Sequence, residues 1–166
     1  MIGWTAKLGP NHTRLASFSI AKYGPQQAHD AQLLPDAGNG RAPDGTPIAH
    51  ADPHDAETPD TPANEHARVR QLAAGFTRRD IRYYILDNEP SLWHITHYDV
   101  HPIGAHAQEI ADRSILYSRA IKSADPHGLV VGPEEWGWTG YQYSGFDQQY
   151  DTQHGLAHPP DRENQT

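Results

Sequence analysis

The order of the apolar runs constrains the fold of this chain more than any other feature of its sequence. Three short runs favour β-strands, namely "LASFSIAKYG", "RYYILDNEP" and "GLVVGPEEWGW", and two stretches with helical spacing separate them. An alternation of strands and helices predicts parallel strands joined by crossover helices, because parallel neighbours need a long return connection. The sequence therefore predicts an α/β protein.

Both predicted helices show an apolar stripe and a clear boundary. The first has Pro62 at its first position after the possible N-cap Thr61, and its stripe consists of Val69, Leu72, Ala73 and Phe76. The stripe of the second consists of Ala107, Ile110, Ala111, Tyr117 and Ile121, and this helix is predicted to end before Asp125-Pro126. Between Gln26 and Asp60 neither period is sustained, which predicts a long loop of the kind that is usually functional.

Composition excludes several classes of function. A net charge of -8 argues against nucleic acid as a partner, because phosphates are bound by Lys and Arg. No apolar run is long enough to cross a membrane, and the first residues do not follow the plan of a signal peptide. With no cysteine there is neither a disulfide nor a thiolate metal site.

Polar and aromatic residues follow each of the three predicted strands. They are Lys22-Tyr23, Asp87-Asn88-Glu89 and Glu134-Glu135-Trp136. In parallel α/β sheets ligands bind at the carboxyl ends of the strands, and in an eight-stranded (β/α) barrel that rim carries the catalytic residues. We therefore expect these groups to lie at one active rim.

One candidate chemistry at this rim is the cleavage of glycosidic bonds. Such cleavage uses two carboxyl groups, one protonated and one ionised, about 5–5.5 Å apart when configuration is retained. Glu89 would be the acid if the backbone turns at Pro90, and Asn88 would then bind a sugar hydroxyl. Clustered aromatic residues suit sugars because the ring faces are apolar, which makes Trp93, Trp136 and Trp138 candidate stacking residues, with core packing as the alternative.

Long stretches of the chain resemble glycoside hydrolase family 44, a family of endoglucanases and xyloglucanases. They are "YYILDNEPSLWHITHYDVHPIGA", "VVGPEEWGWTGYQYSGFDQQY", "SFSIAKYGPQQ" and "HADPHDA". The resemblance covers nearly the whole chain. It implies a secreted, retaining hydrolase of β-1,4-glucans on a (β/α)8 TIM barrel, monomeric when complete, with Glu89 as acid/base at the end of the fourth strand and Asn88 beside it.

The same resemblance implies that residues 1–166 are a fragment of one catalytic domain. The chain corresponds to roughly strands 3 to 5, so the earlier strands, strands 6–8 and the accessory β-sandwich are expected to be absent. The family's nucleophile, at the end of the seventh strand, would then lie outside the chain, and we expect the isolated chain to be inactive. Tyr98 stands where the family usually has Arg. The family pattern gives no nucleophilic role to Glu134 or Glu135, and Glu135 is predicted to bind substrate.

The segment "HADPHDA" is a second candidate site. Asp52 and Asp55 are hard oxygen ligands three residues apart, which suits calcium, while His50 and His54 would suit zinc, and a solvated acidic loop remains open. The resemblance favours calcium, with Asp52 and Asp55 as ligands and a further ligand from outside the chain. Two other functions stay open: a non-catalytic glycan-binding module that uses Trp93, Trp136 and Trp138, and a metal hydrolase centred on this segment.

Overall fold

The structure is a computed structural model, and it describes residues 1–77, 80, 82–155 and 157–164. Its strands are β1 (Trp4–Ala6), β2 (His29–Asp30), β3 (Leu34–Gly38), β4 (Glu57–Pro59), β5 (Tyr83–Ile85) and β6 (Leu129–Val131). Its α-helices are α1 (Ile20–Tyr23), α2 (Pro62–Ala73), α3 (Trp93–Thr96), α4 (Ala107–Ala124), α5 (Trp138–Gln142), α6 (Gly145–His154) and α7 (Pro160–Glu163). Single 3-10 turns span Pro10–His12, Pro53–Asp55 and Pro90–Leu92.

The chain folds into two compact units, of which the first comprises Met1–Gly3, Asp60–His97 and His101–Thr166. In this unit β5 and β6 pair in parallel, with Tyr83 opposite Leu129 and Ile85 opposite Val131. Helix α4 runs between the two strands in sequence, so this β5–α4–β6 segment confirms the predicted parallel crossover. None of the helices within the described residues is both long and apolar enough to span a membrane.

The predicted start of α2 and the predicted end of α4 agree with the structure. Thr61 caps α2 by accepting a hydrogen bond from the Asn64 backbone N–H at 3.2 Å, and Pro62 is the first helical residue. Helix α4 ends at Ala124, one residue before Asp125. The predicted apolar stripe of α2 is only partly correct. Val69 is buried, but Leu72 is more than half exposed, and Phe76 lies beyond Ala73, where α2 ends.

A core cluster in the first unit lies beside the end of β5. Its buried members are Ile2, Trp93, Ala105 and Tyr117, and Met1, Leu86 and Ile110 pack against them. At the start of β5 a buried ion pair joins Arg82 to Asp125, with Nε–Oδ2 and Nη2–Oδ1 distances of 2.6 and 2.8 Å. The Arg82 guanidinium holds the pKa of Asp125 well below its usual range.

The second unit comprises Trp4–Pro59 and Tyr98–Val100. Its strands are antiparallel: β1 pairs with β4, and β2 pairs with β3. The predicted long loop at residues 26–60 therefore contains short strands. Tyr98 packs against the buried ring of Phe18, with 6.0 Å between the ring centroids.

The strand predicted in "LASFSIAKYG" is wrong, because its last residues form the short helix α1. The Ser19 hydroxyl accepts from the Lys22 backbone N–H at 3.1 Å, and the Asp36 carboxylate accepts from the Ala21 N–H at 2.8 Å. These two acceptors satisfy the first N–H groups of a helix and so stabilise a helical turn there. Lys22 and Tyr23 consequently lie on a helix and not at the end of a parallel strand.

Candidate active site

The chain turns sharply where β5 ends, and this turn exposes the polar residues of "LDNEP". Pairing with the β6 side continues beyond the strands: the Glu134 N–H donates to the Asp87 carbonyl at 3.0 Å, and the Glu89 N–H donates to the Glu134 carbonyl at 2.7 Å. Asn88 and Glu134 form a parallel bridge at the same level. The carboxyl ends of the two strands therefore bring Asp87-Asn88-Glu89 beside Glu134-Glu135, as the sequence predicted.

Glu89 has a backbone conformation that is unusual for a residue with a side chain. Its φ of 53° and ψ of 52° lie in the left-handed region, which supplies the turn that the sequence argument required before Pro90. Such conformations cost about 1–3 kcal/mol and cluster at functional sites, where the surrounding structure holds them in place. The observation favours Glu89 as a functional residue.

The carboxylates at these strand ends fall into two groups according to their partners. Asp87 is mostly buried and accepts from the backbone N–H groups of Ile2 and Asn88. Glu135 accepts from Ser91 twice, from its N–H at 3.2 Å and from its hydroxyl at 2.6 Å. Within the described residues, the carboxylates of Glu89 and Glu134 have no hydrogen-bond or ion-pair partner. These two carboxylates are therefore free to meet a ligand.

The tryptophans predicted to bind sugar differ in their exposure. Trp93 is 0% exposed and belongs to the core cluster, so no sugar ring reaches its face, and its predicted role in substrate binding is wrong. The helical turns that follow Glu89 carry this side chain inward. Trp136 and Trp138 are 56% and 81% exposed.

An aromatic surface follows β6, and we use that name for Trp136, Trp138 and Tyr141. Tyr141 is 65% exposed, and its ring meets that of Trp138 edge to face, with 6.2 Å between the centroids. The sequence predictions did not include Tyr141, although its spacing of three residues from Trp138 would bring the two rings together on a helix. The stretch considered at the end of this predicted strand, "GLVVGPEEWGW", reaches only to Trp138. The predictions also omitted Ser91, whose importance depends on a contact with a residue 44 positions away.

The carboxylates proposed to bind calcium are already engaged within the second unit. Lys22 Nζ lies 2.5 and 2.7 Å from the two oxygens of Asp55, and the Tyr23 hydroxyl donates to the same carboxylate at 2.6 Å. The Lys22 ammonium holds the pKa of Asp55 below its usual range. Asp52 accepts from the His54 backbone N–H at 2.9 Å, and this bond lowers the pKa of the Asp52 carboxyl.

These contacts do not fit a calcium ion as the residues are arranged. Calcium takes six to eight oxygen ligands, and an ammonium on Asp55 would repel it. Across the part of the chain that the structure describes, no group of three or more His, Asp or Glu side chains could hold a metal ion. Calcium binding by Asp52 and Asp55 stays a prediction.

Comparison with known proteins identifies the family. The model of glycoside hydrolase family 44 matches residues 1–164. The chain belongs to glycoside hydrolase family 44. Its structure is similar to that of CelM2, described as a bifunctional glucanase-xylanase protein from a metagenome library, with a TM-score of 0.89 and 49% identity over 99% of this chain and 32% of CelM2.

Two curated relatives match shorter segments of this family 44 chain. Endoglucanase A of Paenibacillus lautus is 43% identical over 73 residues, which are 44% of this chain and 10% of the relative. Beta-mannanase/endoglucanase A of Caldicellulosiruptor saccharolyticus is 41% identical over 61 residues, which are 37% of this chain and 5% of the relative. The chain thus spans about a third of CelM2 and a tenth or less of the curated relatives.

Proposed function

We propose that this chain is part of the catalytic barrel of a retaining β-1,4-glucanase or xyloglucanase, and that Glu89 is its general acid/base. The observation that carries the proposal is the turn at Glu89, which presents a carboxylate without partners in the described residues at the carboxyl end of a parallel strand. A β-glucan polysaccharide is the proposed substrate, and family membership supports it. Secretion and a monomeric state remain part of the proposal.

In the proposed mechanism Glu89 acts twice. It first donates its proton to the glycosidic oxygen, so that the bond to the leaving sugar breaks while a second carboxylate attacks the anomeric carbon. It then removes a proton from the water that hydrolyses the glycosyl-enzyme intermediate. Asn88 is exposed beside Glu89 and would donate a hydrogen bond to a sugar hydroxyl.

The nucleophile is proposed to lie in a part of the family domain outside this chain. The exposed apolar face of the β5–β6 sheet supports this view, because Tyr83, Ile85 and Leu129 are 63%, 56% and 46% exposed. A two-stranded sheet is marginal by itself, and further strands of a (β/α)8 barrel would cover this face and pair with its edges. We therefore expect little or no hydrolysis by the isolated 166-residue chain.

The aromatic surface is the proposed place where the glucan stacks. Exposed Trp and Tyr rings offer apolar faces to sugar rings, and their polar rims tolerate water. Glu135 was also expected to bind substrate, but both of its oxygens bond to Ser91, which supports a different role.

The test uses a chimera in which this chain replaces the matching third of CelM2. Glu89→Gln keeps the shape of the side chain and removes its ability to donate and accept a proton, so we expect hydrolysis of xyloglucan and carboxymethylcellulose to fall by about 10²–10⁴-fold. Release of reducing sugar measures the rate. Glu134→Gln is the matched control, since Glu134 is exposed, lies at the same strand ends and also has no partner within the described residues.

Three results would contradict the proposal. If Glu89→Gln left hydrolysis unchanged while glycan binding persisted, the chain would be a glycan-binding module. If Glu134→Gln caused the larger loss, the acid/base would be assigned to the wrong carboxylate. A chelator that abolished hydrolysis without lowering the unfolding midpoint would favour the metal-hydrolase alternative.

A further inference from the structure

Ser91 and Glu135 form a contact across the two strand ends that the proposed mechanism does not use. Ser91 is 3% exposed, and its N–H and hydroxyl donate to different oxygens of the Glu135 carboxylate, at 3.2 and 2.6 Å. Hydrogen bonds to an ionised carboxylate are about twice as strong as those between neutral groups. We call this paired contact the Ser91–Glu135 clasp.

Two glycines lie against the residues of the clasp. A Cβ atom at Gly140 would lie 2.2 Å from Glu135 Oε2, so the carboxylate lies directly against the backbone of α5. A Cβ atom at Gly145 would lie 2.9 Å from the Ser91 carbonyl oxygen, so Ser91 lies against the start of α6. A shift of Glu135 towards Gly140, or of Ser91 towards Gly145, would therefore bring it against backbone.

The clasp lies next to the strained turn that presents Glu89. The Glu134 carbonyl accepts a hydrogen bond from the Glu89 N–H, and the carboxylate of the next residue, Glu135, accepts from Ser91. The Leu92 N–H donates to the Glu89 carbonyl at 2.9 Å and closes the turn. A left-handed conformation at a residue with a side chain persists only when the surrounding contacts hold it, and these contacts surround Glu89 on both sides.

We infer that Ser91 and Glu135 are positioning residues that hold the turn of Glu89, so that its carboxyl group points at the glycosidic oxygen. This inference rests on the proposed function of Glu89. Glu135 acts through Ser91, because each of its two oxygens accepts a hydrogen bond within the clasp. A displacement of about 1 Å in a catalytic group is enough to cost roughly 100-fold in rate.

The test measures how strongly the rate depends on the leaving group. In the CelM2 chimera, Ser91→Ala removes one hydroxyl, and Glu135→Gln keeps the side-chain shape but turns an N–H₂ group towards one Ser91 donor. The substrates are phenyl and 2,4-dinitrophenyl cellobiosides, of which only the phenyl compound needs a proton from the acid for its departure. We expect kcat/KM on the phenyl substrate, which reports the first step, to fall about 10–100-fold. On the dinitrophenyl substrate it should fall less than about threefold, because that step bypasses the acid.

A structural role without positioning would give a different pattern. Loss of folded protein lowers both rates by the same factor, so equal losses on the two substrates would overturn the inference, and so would unchanged rates. Asp112→Asn, at an exposed position of α4, serves as the control and should change neither rate. Because Ser91→Ala and Glu135→Gln break the clasp from opposite sides, each variant tests the inference by itself.

Glu89→Gln in the same series separates the inference from the proposed function. If Glu89→Gln slows the phenyl substrate more than the dinitrophenyl substrate and the two clasp variants do not, the positioning role fails and the acid/base assignment stands. If Glu89→Gln affects both substrates equally, the acid/base assignment itself fails.

Discussion

Trp93 and Trp138 offer a matched test of burial, because both are tryptophans and one is enclosed while the other is open to solvent. Trp93 is 0% exposed, and a fully buried Trp side chain removes about 200 Å² from water. At about 25 cal/mol per Å² this burial contributes roughly 5 kcal/mol. For Trp138, at 81% exposed, about a fifth of that area is buried, which gives about 1 kcal/mol at most.

The indole N–H of Trp93 reduces its net contribution. Trp93 Nε1 is buried and has no hydrogen-bond partner within the described residues, and an unpaired buried donor costs about 1–3 kcal/mol. Trp93→Ala removes this cost together with the burial, so we expect a loss of about 2–4 kcal/mol in the free energy of unfolding. Trp93→Phe also removes the unpaired N–H but keeps most of the ring, and should cost clearly less.

Urea denaturation of the chimera, followed by far-ultraviolet circular dichroism, measures these losses. Trp138→Ala should leave the urea midpoint almost unchanged while it weakens the binding of xyloglucan. The reasoning would be refuted by equal losses of stability in Trp93→Ala and Trp138→Ala. It would also be refuted if Trp93→Ala weakened glycan binding without a loss of stability.

The remaining predictions concern charged contacts, and the urea midpoint of unfolding is the measurement for each of them. The Lys22 ammonium already neutralises Asp55, so a chelator should leave the urea midpoint unchanged, whereas Lys22→Met should lower it. A marked fall of the midpoint with chelator would instead support calcium binding. The Glu109 carboxylate raises the pKa of His101. The stability from this pair is therefore complete below about pH 6.5 and is lost as pH rises through the pKa of the folded protein. His101→Gln should remove this pH dependence of the unfolding midpoint. The Arg82 guanidinium lowers the pKa of Asp125, so the stability from this pair is present above about pH 4 and is lost as pH falls further. Asp125→Asn should reduce the fall of the unfolding midpoint at acidic pH.

Where the sequence argument succeeded, the signals were local. The cap at Thr61, the end of α4 before Asp125 and the β-favouring residues of β5 and β6 each act within a few residues, and the structure agrees with them. The strand predicted before Gly24 failed because a carboxylate from Asp36, distant in sequence, helps to satisfy the first N–H groups of α1. Alternation of apolar residues cannot reveal such a partner.

The candidate site shows the same division. The sequence determined that an acid, an amide and aromatic residues follow two neighbouring parallel strands, because chain order and β-propensity fix where a crossover begins and ends. Only the tertiary structure decided that Trp93 is buried, that Glu135 accepts hydrogen bonds from Ser91 and that Lys22 forms an ion pair with Asp55. Each of these outcomes depends on which distant group comes within 3 Å of a polar atom or covers an apolar ring, and the packing of the whole chain sets those distances.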